Sequence, residues 1–381
     1  MMTLIMFLLI TLLPLTTSKE NAVSAESDKY YLYVGAYTET EEEGIAIFLF
    51  DVLSGDLEYI STVKGIKNPS YLAIHPKRKL LLAVNEVSDG ENKSGVVSSF
   101  SINPLDGSLR LINFESSLGA GPCYVSIDHG GDFAVVANYG GGTVALLPIE
   151  STGKLLPGSM VQHSGSGPNT ARQGAPHAHT IMFDKKYGYA LSADLGIDKV
   201  ITYSLGSNPS KLVKQSEFSL APGAGPRHLD FHPNQKFAYI INELNSTVTA
   251  CSYDAKSGKL TEIESVSTLP ADFTGQNSCA DIHISRDGRY VYGSNRGHDS
   301  IVVFKADPTS GKLTYVSHHS VKGKTPRNFM IDPTGKFLLV ANQGSNNIVV
   351  FKIDAETGKL ISNGVEVQSP KPVCLKMYPK K

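Results

Sequence analysis

The stretch Gly225–Leu244, GPRHLDFHPNQKFAYIINEL, carries charge at both ends of an otherwise apolar hairpin. Leu229 and Phe231, then Phe237, Tyr239 and Ile241, describe two strands apolar enough to be covered on both faces. Arg227-His228 opens the first strand and Asn242-Glu243 closes the second. An arginine offers a planar fork of donors that fits a carboxylate or phosphate. A glutamate beside it is either held ionised or shared as a base, depending on burial. His179 adds a group whose pKa could sit near neutrality and serve as acid or base. Arg296 and Arg327 open or close further strands of the same kind. Together these residues describe an anion site able to move a proton.

Side chains so far apart in sequence need a scaffold that repeats, and the chain supplies one. A turn ending in Leu recurs as SGDL (54–57), DGSL (106–109), TGKL (152–155), PSKL (209–212), SGKL (257–260), SGKL (310–313) and TGKL (357–360). The leucines lie 46 to 57 residues apart. A second landmark, usually Asn, ends a strand in each copy: Gly35, Asn85, Asn138, Ala193, Asn242, Asn295 and Asn342. Two independent markers agree on seven repeats, and no segment shows a sustained helical period. Four short antiparallel strands per repeat predict an all-β, seven-bladed β-propeller. The first repeat lacks its first strand, and the C-terminal PVCLKMYP (372–379) has no second. That last strand is expected to complete the N-terminal blade and close the ring.

In such a ring the first strand of each blade is innermost, so its start and the end of the second strand share one mouth. The starts read Ser70-Tyr71, Cys123-Tyr124, His177-Ala178-His179, Arg227-His228, Cys279-Ala280 and Arg327-Asn328. The ends read Asn85-Glu86, Asn138-Tyr139, Asp194, Asn242-Glu243, Asn295-Arg296 and Asn342-Gln343. The expected catalytic set is therefore His179, Arg227, Glu243 and Arg296. The expected substrate contacts are Arg327, His177, His228, Arg172 and Gln343. Asp281 is channel-facing by position. The alternative for the charges is a structural ring of ion pairs, and blade-end asparagines such as Asn138 and Asn342 are read as turn-formers. His177 and His179, two apart on one strand, should face the same way and with His228 could hold a metal. No carboxylate is grouped with them, so neither a metal nor another cofactor is expected.

The chain has 381 residues, 41% of them hydrophobic and 19% charged, with a formal net charge of -1. That balance offers nothing to nucleic acid or an anionic membrane, so any anion affinity is local. Leu4–Leu15 is an apolar run too short to span a bilayer comfortably, followed by Val23-Ser24-Ala25 with small residues where a signal peptidase reads. Residues 1–25 are read as a signal peptide and 26–381 as one propeller domain, in a periplasmic or secreted protein. An uncleaved anchor is the alternative. Cys123, Cys251, Cys279 and Cys374 match no zinc spacing and are expected to be free and buried.

Five segments carry a resemblance: GSGPNTARQGAPHAH (165–179), DLGIDKVITY (194–203), GAGPRHLDFHPNQKFAYIINEL (223–244), SRDGRYVYGSNRGHDSIVVF (285–304) and TPRNFMIDPTGKFLLVANQGSNNIVVF (325–351). In these the chain resembles the seven-bladed propeller lactonase family. That family includes bacterial propeller-type 6-phosphogluconolactonases and fungal 3-carboxy-cis,cis-muconate cyclases. The resemblance implies a lactone-processing site whose His, Arg, Glu and Arg are His179, Arg227, Glu243 and Arg296. Arg172-Gln173 and Arg327 also match, while Asp281 stands where the family usually has Glu. The expectation is metal-independent hydrolysis of a sugar-type, anionic lactone by a monomer without nucleic-acid or membrane partners. A lactonising cyclase and a non-catalytic propeller binding an anionic ligand are the alternatives.

Overall fold

The computed structural model describes residues 27–88, 93–186, 188–206 and 211–381. The leader expected at residues 1–25 lies outside them, as do two residues of the fourth turn landmark. The described chain forms seven four-stranded antiparallel sheets and no α-helix. No described helix is therefore long and apolar enough to cross a membrane. Strands are lettered a to d from the axis outward. Blade 5, for example, is Pro226–Phe231, Phe237–Asn242, Thr247–Asp254 and Lys259–Ser267.

The expected closure is present. Pro372–Pro379 pairs with Lys29–Ala36 as strand a of blade 1. It contacts strand a of blade 7 (Pro326–Ile331) on one side and of blade 2 (Tyr71–Ile74) on the other, so the a strands form an unbroken circle. The burial gradient follows from that circle. Strand b of blade 5, FAYIIN, is buried throughout because blades cover both its faces. Strand d, KLTEIESVS, holds only exposed and half-buried residues, as befits the rim.

Both sequence landmarks hold blades together. The glycines of the repeated turn take positive φ (Gly107 +77°, Gly258 +68°, Gly311 +74°, Gly358 +70°), which only glycine adopts without strain. Their carbonyls accept hydroxyls from the preceding blade: Tyr33 onto Gly107, Thr202 onto Gly258, Tyr239 onto Gly311 and Tyr292 onto Gly358. The blade-end asparagines tie strand b to the segment entering the blade. Asn138 Nδ2 donates to the Ser117 carbonyl, Asn295 Nδ2 to that of Thr268 and Asn342 Nδ2 to that of Val321. The four cysteines are free and buried.

The strand-a register contains a device that sequence alternation hides. In blade 5, Pro226 pairs with Asn242 but His228 pairs with Ile241, which leaves Arg227 as an extra residue. The same bulge leaves Cys123, His179, Arg327 and Val373 unpaired in blades 3, 4, 7 and 1. A bulge re-aims its extra side chain. Strand a of blade 4 accordingly begins at Ala178, with His177 before it and His179 as the bulge residue. The two histidines are thus not alternate residues of a regular strand, which corrects the expectation that they face one way.

Tyr292 is fully buried and its hydroxyl lies 2.9 Å from the Gly358 carbonyl of the next blade. Tyr292→Phe strands that carbonyl without its donor and should lower the unfolding free energy by about 1–3 kcal/mol in denaturant melts.

Candidate functional site

Glu243 stands one residue beyond strand b of blade 5 and is 5% exposed. Three guanidiniums converge on its carboxylate. Arg172 Nη2 lies 2.6 Å from Oε1, while Arg227 Nε and Arg296 Nη2 lie 3.0 and 2.9 Å from Oε2. Burial works against ionisation here, but Arg296, Arg227 and Arg172 together outweigh it and hold the carboxyl down at about 2. Glu243 is an anchor for arginines and a very weak base.

Each arginine arrives by a different route. Arg227 is the bulge residue of blade 5, 2% exposed, with Nη1 donating to the Ala280 carbonyl of blade 6. Burial and then Arg296 and Arg327 lower its pKa to about 10, so it stays charged at neutral pH. Arg296 ends strand b of blade 6 and donates Nη2 to the Cys279 carbonyl at 2.7 Å. Arg172 sits on the loop before blade 4, and its neighbour Gln173 fixes that loop. The buried Gln173 amide donates to the Leu195 carbonyl and to Asp198 Oδ1 at 2.8 and 2.7 Å. Asp198 also accepts from the amides of Gly223 and Gly225, just ahead of Arg227.

Arg327, the bulge residue of blade 7, belongs to a second group. Its Nη2 donates to the Tyr37 hydroxyl at 2.9 Å, and that hydroxyl donates to Glu86 Oε2 at 2.9 Å. Its guanidinium also lies over the Tyr37 ring, 5.3 Å from the centroid. His179 faces the same space with Nδ1 3.8 Å from Cys123 Sγ. Burial, Arg227, His228 and Arg327 all disfavour its protonation and pull its pKa well below the usual value. It is therefore a neutral imidazole at neutral pH. Burial pushes the Cys123 thiol up, out of the range of a reactive thiolate.

These groups line a cavity of about 310 Å³ bounded by Glu86, Cys123, Tyr139, Arg172, His179, Glu243, Ser278, Arg296 and Arg327. A narrow extension of about 10 Å³ continues it toward the axis between Ser70, Tyr71, Arg227, His228 and Val373. Four guanidiniums against two carboxylates leave two surplus positive charges facing this space. A larger cavity of about 510 Å³ opens at the opposite mouth, lined by residues such as Ile74, Ile127, His283, Met330 and Lys376. It lacks the arginine–carboxylate cluster, so the smaller cavity is the candidate site.

His179, Arg227, Glu243 and Arg296 are thus brought together, with Arg172 and Arg327 beside them. The other expected contacts divide: His228 lines the narrow extension, while His177 lines neither space. The His177 ring stacks on Tyr139 at 4.5 Å and its Nδ1 meets the Tyr139 carbonyl. His228 sits behind Arg227 with both ring nitrogens engaged. Gln343 occupies the position equivalent to Glu243 yet does not line the cavity. Among the described residues no group of three His, Cys, Asp or Glu is placed to hold a metal ion. Sequence reasoning placed Glu86 and Tyr139 at the mouth without naming them as site residues, and passed over Tyr37. All three follow the strand-b landmark by one or two residues, and that place in the repeat is the signal that could have found them.

A family model described as lactonase, seven-bladed β-propeller, matches residues 31–377. The chain belongs to that family. It is 40% identical to a 6-phosphogluconolactonase of Bacillus subtilis over 80% of this chain and 86% of the relative. A 6-phosphogluconolactonase of Formosa agariphila is 37% identical over 80% of this chain and 86% of its own length. Among solved structures, the periplasmic gluconolactonase of Pseudomonas aeruginosa superposes with a TM-score of 0.84 at 33% identity, covering 93% of this chain and 100% of that one.

Glu243 ionises at about 2 in the folded protein against 4.5 for an unperturbed glutamate. Its stabilising contribution is complete above the upper value and is lost as pH falls toward the lower one. Glu243→Gln should remove that acid-sensitive increment, giving a shallower loss of stability between about pH 5 and pH 3 in urea melts. At neutral pH the same variant should be less stable than the wild type, because three arginines lose their shared anion.

Proposed function

We propose that the protein hydrolyses a sugar-type δ-lactone at the mouth bounded by His179, Glu243 and the arginines. One observation carries this reading: a buried carboxylate fixes three guanidiniums around a cavity that also receives a neutral imidazole. Preorganised donors of this kind stabilise the charge that develops when a carbonyl is attacked. Arg227 retains an Nη2 with no hydrogen-bond partner among the described residues, and with Arg296 it is suited to receive the oxyanion. Arg327 and the rim residue Arg172 supply charge for an anionic substituent. The surplus of two positive charges favours a lactone that carries one.

His179 is the better base, because Glu243 is held at about 2. In the proposed sequence His179 takes a proton from water as its oxygen bonds to the lactone carbonyl carbon. The oxyanion collapses, the bond from that carbon to the ring oxygen breaks, and His179 returns the proton to the departing oxygen. The product is the open hydroxy acid. An imidazolium facing Arg227 and Arg327 is disfavoured, which drives the proton onward. Leu4–Leu15 and Val23-Ser24-Ala25 support export, in keeping with the periplasmic gluconolactonase that the fold resembles. The filled inner edge of blade 1 suits a monomer.

Hydrolysis of glucono-δ-lactone and its 6-phosphate, followed by proton release beside a muconate control, tests the reading. Arg296→Ala should reduce kcat/KM by about 10²–10³. His179→Ala should reduce it by about 10²–10⁴. Near-normal turnover in both variants would show that the chemistry lies elsewhere.

A further inference from the structure

The mechanism above leaves a buried carboxylate unused. Asp281 is 1% exposed and lies in the channel one level below the arginine cluster. Its oxygens face only donors. Oδ1 accepts from His228 Nδ1 at 2.7 Å and from the Ile282 amide at 3.0 Å. Oδ2 accepts from the Asn328 side-chain amide, from the Phe329 amide and from His283 Nε2. A carboxylate surrounded this way is held ionised, and it fixes the proton of His228 on Nδ1. The other nitrogen, Nε2, is then a lone pair. It lies 3.2 Å from Arg227 Nη1. Burial and Arg227 also lower the His228 pKa to about 4, which agrees with a neutral ring accepting from a guanidinium.

The geometry points to His228 and Asp281 as positioning residues for Arg227, acting through the bond from Arg227 Nη1 to His228 Nε2. Arg227 is a bulge residue, so no ladder partner fixes its direction. Three acceptors do so instead: Glu243 on Nε, with the Ala280 carbonyl and His228 on Nη1. They leave Nη2 without a hydrogen-bond partner among the described residues. His228 thus serves the site by fixing Arg227, besides its place on the wall of the narrow extension. Asp281 holds the His228 ring in the tautomer that can accept. The competing role for the pair is a staple between blades 5 and 6.

This inference rests on the lactonase reading, and two variants at one position separate it from the staple. Asn at 228 places its amide near the His Nδ1 position, so it can still donate to Asp281 but offers nothing to Arg227. Gln reaches the Nε2 position and can present a carbonyl to Arg227, while losing Asp281. With glucono-δ-lactone and its 6-phosphate as substrates, His228→Asn should lower kcat/KM by about 10²-fold, mainly in kcat, with a wild-type melting temperature. His228→Gln should recover most of that loss. In an Arg227→Ala background, His228→Asn should cause no further loss, because residues acting through one contact are not additive. A His228→Gln variant slower than His228→Asn, or equal losses in both backgrounds, would overturn the positioning role in favour of the staple. Wild-type turnover that His228→Asn leaves intact would overturn this inference alone. Absence of turnover by the wild type would overturn the lactonase reading and this inference with it.

Discussion

Four guanidinium groups cannot be gathered at one mouth of a narrow channel unless an anion lies among them. Like charges at such separations repel strongly where water is scarce, and burial makes each one costly. Glu243 resolves this by pairing with three of them at once, and Glu86 faces the fourth through Tyr37. Replacing such a cluster by apolar packing is often neutral or stabilising in other proteins, so stability alone is a weak reason for its presence here. What the cluster does provide is direction. Each arginine is fixed before any ligand arrives, and the surplus charge is focused on one cavity.

The bulge in strand a is the structural counterpart of that arrangement. A regular innermost strand would turn alternate residues toward its two blade neighbours. With one extra residue at its start, Cys123, His179, Arg227 and Arg327 are released from the ladder at equivalent places around the axis. The residues that follow Cys123, Arg227 and Arg327, namely Tyr124, His228 and Asn328, lie at the next level. Tyr71 and Tyr124 stack at 4.1 Å, and His228, Asp281 and Asn328 are hydrogen-bonded in turn. This second level lies between the two cavities, with Tyr71 lining both the narrow extension and the larger cavity.

Much of the fold could be read directly from the chain. The Gly-Lys-Leu-type turns and the strand-ending asparagines recur because each copy solves the same problem of docking one blade on the next. Gly258 and Asn295 mark that contact in sequence as clearly as in space. The closing strand was legible for a similar reason, since PVCLKMYP repeats the pattern of an innermost strand and has no partner beside it. His179, Arg227, Glu243 and Arg296 could be grouped because antiparallel pairing puts strand starts and ends at one mouth. That His177 and Gln343 line neither the cavity nor its extension has a common cause. A period of two cannot register a one-residue bulge, nor tell which of two adjacent polar residues reaches the cavity.

The sequence by itself determined the number of blades, how the ring closes, and which polar residues meet at one end, because repeats and pairing direction are properties of order along the chain. Only the tertiary structure decided what those residues are to one another. That Glu243 is an anchor, that His179 is neutral, and that His228 stands behind Arg227 depend on distances between different blades and on burial. Coulomb attraction and desolvation are fixed by those distances, and no spacing along the chain encodes them.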